Sequence, residues 1–312
     1  AQLPSWSRFA THAPQPINST PVTSLSFLNL FSGPMRLTNG LSAHVTRLGW
    51  AQVTEVDNDE RNGGGWDSDL LNGSCYADLL ARARRGDFHA IMTAFPCSTF
   101  SIARFFDASG DGGDKGPQPV RSKSSPDGLP NDKLDPKHRK ELLRANRLLE
   151  RTVDIAIAAN LSPSKTSIVW ENPADRSVVG TTEYMPEFAD KHGSLFATSA
   201  IRRFREQVPN TSQCTFASCR LGSDSQKYTT LLYTNDAARV LDPLNGPEYA
   251  CNHPPGSHHK TAGGRDRDGQ RWISEEAAAY KPPLCNKLAQ AFTWARTGAN
   301  LPVPKGTATN GK

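Results

Sequence analysis

Short apolar runs alternate with amphipathic stretches along the central part of the chain. Runs of four to eight apolar residues are typical of buried strands, and apolar residues three or four positions apart are typical of helices. On this basis strands are predicted at residues 26–31, 52–56, 88–95 and 167–170. Helices are predicted at 41–48, around 77–85, and from Asp135-Pro136, which offer an N-cap and a first-turn proline. This alternation predicts an α/β sheet domain.

Both ends of the chain differ from this pattern. Residues 1–23 and 297–312 are rich in small, polar and proline residues and bury little, which predicts a disordered arm and a disordered tail. Residues 107–134 are mostly Gly, Asp, Ser, Lys and Pro, and they predict a long mobile loop. A loop of that length inside a compact domain usually has a function.

Composition narrows the class of protein. The 312 residues are 37% hydrophobic and include thirteen Phe and six Trp, which excludes wholesale disorder. No run approaches the eighteen apolar residues of a membrane helix, and no basic-then-apolar leader is seen, so we expect no membrane partner. Six scattered cysteines do not form a dense disulfide framework. An intracellular protein, nuclear or cytoplasmic, is therefore expected.

The positive charge is concentrated near the end of the chain. The formal net charge is +5, and residues 251–312 hold nine Lys and Arg against four Asp and Glu. A localised basic region favours a polyanionic partner, although a solvated surface gives the same pattern.

The end of the first predicted strand could bind a ligand. Gly33 follows Phe31 and Ser32, and a glycine at this point allows the backbone to approach a bound group. Glu55 comes twenty-two residues later, beside Val56 at the end of the second strand. In Rossmann-like folds an acid at about that offset binds a ribose diol. A strand-end turn with a surface acid is the alternative interpretation.

A second acid, Asp69, precedes Leu70 where another loop between a strand and a helix is predicted. Such an acid can bind an adenine amino group. A lone Asp at that place is more often a helix cap.

A thiol and a carboxyl group follow two further strands. Cys97 comes after Pro96 at the end of one apolar run, and Glu171 comes before Asn172 at the end of another. Because α/β folds place ligands at the carboxyl ends of their strands, we expect the two groups to converge. A thiolate and an acid together suit addition to an electron-poor ring. The alternatives are a structural cysteine and a capping acid beside Pro173.

These segments resemble, in order, the motifs of the cytosine-5 DNA methyltransferase family. The ordered series is FSG, Glu55, SDL, FPCSTFS and ENP, followed by a Gln226-Lys227 segment and a Pro282-Pro283-Leu284 helix start, and it spans about residues 26–295. The resemblance implies a Rossmann-like class I S-adenosylmethionine-dependent methyltransferase fold with a small target-recognition lobe. It implies a catalytic domain at 24–230, a target-recognition region at 231–279 and a returning helix at 280–296. The sequence resembles a divergent branch of mobile-element or viral type.

The resemblance also implies roles for individual residues. Cys97 would add to C6 of a flipped cytosine, Glu171 would hold the N3 and amine edge, and Asn172 would fix the acid. Gln226 would complete the catalytic set, and the loop at 98–134 would close over the base. S-adenosyl-L-methionine would contact Phe31, Ser32, Gly33, Glu55, Val56, Asp69, Leu70 and Pro96. Double-stranded DNA is the expected partner, and a monomer is expected.

Three segments depart from the family pattern. The first motif reads FSGPMR rather than FxGxGG, and Lys227 stands where planar arginine donors are expected. Ala279-Tyr280 replaces the Gly-Asn before the prolines, which removes one expected cofactor contact.

Nucleic-acid and metal contacts form the last group of predictions. The residues expected to contact nucleic acid are Ser98, Arg104, Lys227, Lys260, Arg265, Arg267 and Arg271. Zinc held by Cys219, Cys251, His253 and His258 could stabilise the target-recognition lobe, which is too small to form its own core. No standard finger spacing is present, and histidines facing phosphate or solvent are the alternative.

Three rival functions remain at this point. The same chemistry could act on RNA, because nothing in the sequence reads the sugar. A catalytically inactive nucleic-acid-binding relative would fit the altered first and last motifs. A general thiol enzyme is less favoured, because no histidine lies in a segment that clearly pairs with Cys97.

Overall fold

A computed structural model describes residues 24–105, 117–254, 257 and 279–299. Its strands are β1 Ser26–Leu30, β2 Gln52–Val56, β3 Ala90–Ala94, β4 Ser167–Pro173, β5 Thr211–Ala217 and β6 Tyr228–Thr234. Its α-helices are α1 Leu41–Arg47, α2 Gly73–Arg85, α3 Pro136–Leu161, α4 Ser199–Gln207, α5 Ala238–Leu241 and α6 Pro282–Thr297.

The six strands form one mixed sheet in the order β2-β1-β3-β4-β6-β5. β1 to β4 are parallel, whereas β6 is antiparallel to both of its neighbours. The carboxyl ends of the four parallel strands therefore lie at one edge of the sheet. The beginning of β6 reaches the same edge, because Pro173 pairs with Thr229.

Helices cover both faces of the sheet. Leu79, Val153 and Phe204 place α2, α3 and α4 in the apolar core on one face. Val45 and Phe292 place α1 and α6 in the core on the other face. These three layers confirm the predicted Rossmann-like α/β class.

The predicted elements differ from the observed ones mainly at their ends. Asp135 is the N-cap of α3 as expected, since its carboxylate accepts a 2.8 Å hydrogen bond from the His138 amide. The fourth strand was predicted to end at residue 170, but it continues to Pro173. Glu171 and Asn172 therefore lie within the last residues of β4, where pairing with β6 fixes their direction.

The first part of the predicted target-recognition region, residues 231–244, contributes buried side chains to the core. Residues 231–234 complete β6, and Leu241 of α5 is buried in the same cluster as Phe292 of α6. The predicted arm at 1–23, most of the predicted tail and residues 258–278 lie outside the described residues. None of the described helices combines the length and the apolar character needed to cross a membrane.

Candidate active site

Cys97 lies in a tight turn just past β3. Pro96 and Ser98 are exposed and Cys97 is half-buried, while the Phe100 amide donates a 2.9 Å hydrogen bond to the Cys97 carbonyl. Phe95 and Phe100 are buried on either side of the turn, and their rings make an edge contact at 6.0 Å. Apolar anchoring of both flanks holds the thiol at the edge of the sheet.

Glu171 lies on the neighbouring strand, where it pairs with Ala94 across the sheet. The residue is only 5% exposed. Its carboxylate accepts a 3.2 Å hydrogen bond from the Lys227 ammonium on Oε1 and a 2.9 Å hydrogen bond from the Tyr280 hydroxyl on Oε2. Lys227 directly precedes β6, and Tyr280 lies two residues before the start of α6. These two hydrogen bonds offset the free-energy cost of burying the Glu171 carboxylate.

The charges of the three groups act on one another. Burial raises the pKa of the Cys97 thiol and the Glu171 charge raises it further, whereas the Lys227 ammonium opposes both. Burial alone would lower the pKa of Lys227, but the charges of Glu171 and Cys97 outweigh it and raise that pKa. Lys227 is therefore a fixed positive charge between a carboxylate and a thiol. Burial and then the Glu171 charge also raise the pKa of Tyr280, so its hydroxyl remains a donor.

Asn172 ties the end of β4 to the Cys97 turn. Its side-chain Nδ2 donates a 2.8 Å hydrogen bond to the Phe95 carbonyl. Its Oδ1 is buried and has no hydrogen-bond partner within the part of the chain that the structure describes. The hydrogen bond thus joins the strand that carries Glu171 to the residue that precedes the Cys97 turn.

Two buried residues that sequence reasoning missed hold the segment after Cys97. His192 Nδ1 accepts from the Arg176 amide at 3.1 Å, so the proton lies on Nε2, which donates to the Phe100 carbonyl at 2.8 Å. Arg121 donates to Thr99 Oγ1 at 3.2 Å, and its guanidinium lies 4.0 Å from the centre of the Phe100 ring. Neither residue stands in a motif, so no sequence signal identified them.

The predicted nucleic-acid contacts fall into three groups. Ser98 is exposed beside Cys97, in agreement with a surface role. Arg104 is instead buried, and its guanidinium donates to the Ser98 and Gln118 carbonyls and pairs with Glu141. It stabilises the loop and would have to leave these partners to reach a phosphate. Outside the described residues lie the other basic contacts: Lys260, Arg265, Arg267 and Arg271.

The predicted catalytic Gln226 is exposed, while its neighbour Lys227 lies in the site. Lys227 was predicted as a nucleic-acid contact, and the structure pairs it with Glu171. Tyr280 had been noted only as a departure from the family pattern. The pairing of β4 with β6 places Lys227, and the packing of α6 on the sheet places Tyr280; neither can be read from local sequence patterns.

The loop after β1 meets the end of β2 near the same edge. Gly33 has a φ of +67°, and an added Cβ would meet nothing within 4 Å, so the space beside it is open. Its amide donates to Asp57 Oδ2 at 2.9 Å, and the Arg36 amide donates to Glu55 Oε2 at 3.0 Å. Asp57 is a further residue that sequence reasoning missed; it is the first residue after β2 and closes this loop.

The other predicted cofactor residues differ in their burial and in their hydrogen-bond partners. Phe31 takes a φ of +59° and its ring packs edge-on against Phe95 at 5.4 Å, while Ser32 is half-buried. Val56 and Leu70 are buried in the core. The Asp69 carboxylate accepts from the Leu71 amide at 2.8 Å and from Arg144 at 3.1 Å, whereas Asn72 is the N-cap of α2. An adenine amino group would have to share this carboxylate with those two donors.

Three of the four predicted metal ligands converge. The ligand atoms of Cys219, Cys251 and His253 lie within 4.8 Å of one another. Burial and then the neighbouring Cys251 thiol raise the pKa of Cys219 to about 11. His258 lies outside the described residues.

Comparison with known proteins gives only distant likenesses. No protein-family model and no curated protein matches the chain. Similar solved structures include one described as a DNA modification methyltransferase of an E. coli prophage, the S. pombe Dnmt2 methyltransferase and a mutant of Spodoptera frugiperda DNMT2. Each is 13% identical, with TM-scores of 0.34, 0.33 and 0.33 over 67%, 67% and 74% of this chain. The matches cover 46%, 50% and 54% of those proteins, so the chain spans about half their length.

Fold and site together define a Rossmann-like α/β protein whose strand ends bring a thiol, a carboxylate and an ammonium group to one edge. Its activity is inferred from these groups.

Proposed function

We propose that the protein transfers a methyl group from S-adenosyl-L-methionine to C5 of cytosine in nucleic acid, with double-stranded DNA as the preferred substrate. One observation carries the proposal. Cys97 lies just past the end of β3, and Glu171 lies near the end of the adjacent parallel strand β4. The Lys227 ammonium interacts with both. A purely structural role would not require a half-buried thiol opposite a buried, doubly held carboxylate.

The topology supports this class of enzyme. Four parallel strands followed by a hairpin whose last strand is reversed are typical of class I methyltransferases. The motif order in the sequence points to the same class, and it assigns the thiol and the carboxylate to catalysis.

The residues around Gly33 fit the cofactor. The open space beside Gly33 suits the close approach of a ligand to the backbone, and Glu55 offers a carboxylate for ribose hydroxyls. A carboxylate oxygen accepts more than one hydrogen bond, so the bond from Arg36 leaves capacity for a hydroxyl. Phe31, Ser32, Gly33, Glu55 and Asp69 would hold the group. When bound, S-adenosylmethionine supplies an electrophilic methyl group.

Cys97 would act as the nucleophile. Its thiolate adds to C6 of a cytosine that has been flipped out of its helix, which makes C5 nucleophilic enough to take a methyl group. Loss of the C5 proton and elimination of the Cys97 thiolate then restore the aromatic ring. Because burial raises the pKa of Cys97, little thiolate is present at neutral pH. The positive charge of Lys227 opposes this rise and therefore favours the reactive thiolate.

Glu171 would hold the Watson–Crick edge of the cytosine. Its oxygens accept a hydrogen bond from the exocyclic amine, and a proton at N3 stabilises the adduct. The Lys227 ammonium lies 3.2 Å from Oε1 and keeps its charge, so it holds this oxygen in place, and the proton at N3 comes from water. Tyr280 holds the other oxygen in place.

Nucleoside mass spectrometry tests the proposal. Unmethylated mixed-sequence DNA and RNA are incubated separately with cofactor and wild type, Cys97→Ala or Cys75→Ala. Cys75 is a half-buried thiol on α2 and serves as the matched control. We expect 5-methylcytosine in DNA with wild type and Cys75→Ala but not with Cys97→Ala.

Other outcomes separate the alternatives. Product in RNA alone would assign the activity to the other polymer. If neither polymer is modified and the cofactor does not bind, the enzyme proposal is refuted.

A further inference from the structure

We propose that Cys219, Cys251 and His253 bind one zinc ion that fastens the segment after α5 to the end of β5. These residues are called the CCH cluster below. None of these three residues has a role in the proposed methyl transfer.

The distances within the CCH cluster suit a tetrahedral metal. With Zn–S near 2.3 Å and Zn–N near 2.0 Å, ligand atoms around tetrahedral zinc lie roughly 3.6–3.8 Å apart. Cys251 Sγ and His253 Nδ1 are separated by 3.6 Å, and all three ligand atoms lie within 4.8 Å of one another. Only a small adjustment of the side chains is required to bind the ion.

Bonds that need no metal hold the two ligand segments together. Cys219 lies in a helical turn directly after β5, and the adjacent Arg220 donates to the Glu248 carbonyl and to Asn252 Oδ1, both at 2.7 Å. The Cys251 amide donates to the Tyr228 hydroxyl at 3.1 Å. The fold thus brings Cys219 to ligands that lie 32 and 34 positions further along the chain.

The donor set selects the metal. Two thiolates and an imidazole are soft to borderline ligands, which favour zinc over magnesium or calcium. Three protein ligands leave a fourth coordination position for water or another side chain.

The position of the CCH cluster suggests what the ion does. Ser218 and Leu221, which lie in the same helical turn as Cys219, line a small surface cleft together with Lys227 and Tyr280. The chain beyond His253 continues into the sequence that carries the basic residues from Lys260 to Arg271. A bound ion would fix Cys251 and His253, which precede that basic sequence in the chain, near the cleft that Lys227 and Tyr280 line.

Metal titration of the full chain tests the proposal. Protein purified without chelator is analysed for zinc, and metal-free protein is then titrated with Co²⁺ alone. We expect one zinc per chain and the thiolate-to-cobalt charge-transfer band of a tetrahedral complex. Cys219→Ser and His253→Ala should each weaken Co²⁺ binding at least about tenfold, whereas the Cys75→Ser control should bind like wild type.

A second measurement covers variants that fold poorly. Zn²⁺ should raise the Tm of the metal-free wild type and leave the Tm of Cys219→Ser unchanged. Equal Co²⁺ binding by wild type and Cys219→Ser would overturn the proposal. A Cys219–Cys251 disulfide in the purified protein, found by peptide mass spectrometry, would also overturn it and assign the pair to redox chemistry.

Discussion

Replacing Lys227 by methionine removes the positive charge from the candidate site and nearly preserves the length of the side chain. The charge lies 3.2 Å from Glu171 Oε1, and both side chains are largely buried. At an effective dielectric constant of 20, two unit charges at that distance attract by about 5 kcal/mol. Removing one partner of a buried ion pair leaves the other charge unpaired, which typically costs about 3–5 kcal/mol.

Lys227→Met should therefore lower the free energy of unfolding by about 3–5 kcal/mol at pH 7. Urea unfolding of the variant and the wild type measures this difference. Lys137→Met, at an exposed lysine of α3, is the matched control and should change stability by less than about 0.5 kcal/mol. A loss below about 1 kcal/mol in Lys227→Met would show that the pair contributes no more than an exposed ion pair and would contradict this prediction.

Three further predictions concern the thiol, its supporting loop and the cofactor cleft. Because burial raises the pKa of Cys97 above 9.0, its alkylation by iodoacetamide should accelerate through pH 9, and a plateau below pH 8 would contradict this. Arg121→Met should lower stability in urea unfolding by about 2–4 kcal/mol, because it leaves buried partners unpaired, and Arg121→Lys should not restore it. Asp57→Ala should reduce both stability and cofactor affinity in calorimetry, whereas Glu55→Gln should reduce affinity alone. Equal affinity in Glu55→Gln and wild type would remove Glu55 from the cofactor site.

The convergence of Cys97 and Glu171 was predictable because it follows from a general rule. Both groups come directly after short apolar runs, and the carboxyl ends of parallel strands meet at one edge. Local sequence patterns were enough to predict this convergence, because the position of each group depends only on the strand that carries or precedes it. Asn172 was predictable for the same reason, since its direction is fixed by its place at the end of β4.

The partners of Glu171 could not be predicted in this way. Lys227 and Tyr280 reach the carboxylate from 56 and 109 residues further along the chain. Their positions depend on the register of an antiparallel pair and on the docking of α6, both set by long-range packing. In the sequence they are visible only as departures from a pattern. Arg104 illustrates the opposite error, because a basic residue in a loop near the thiol is expected at the surface but is buried.

The formation of a covalent adduct at Cys97 is the most direct test of the account. Mixed-sequence DNA containing 5-fluorocytosine is incubated with protein and S-adenosyl-L-methionine, and the products are digested and examined by peptide mass spectrometry. Fluorine at C5 blocks loss of the ring substituent, so elimination of the thiolate stops and the adduct accumulates. We expect one nucleotide linked to the peptide that carries Cys97. This adduct should require the cofactor and should be absent in Cys97→Ala. An adduct at another cysteine, or methylation of cytosine without any adduct, would contradict it.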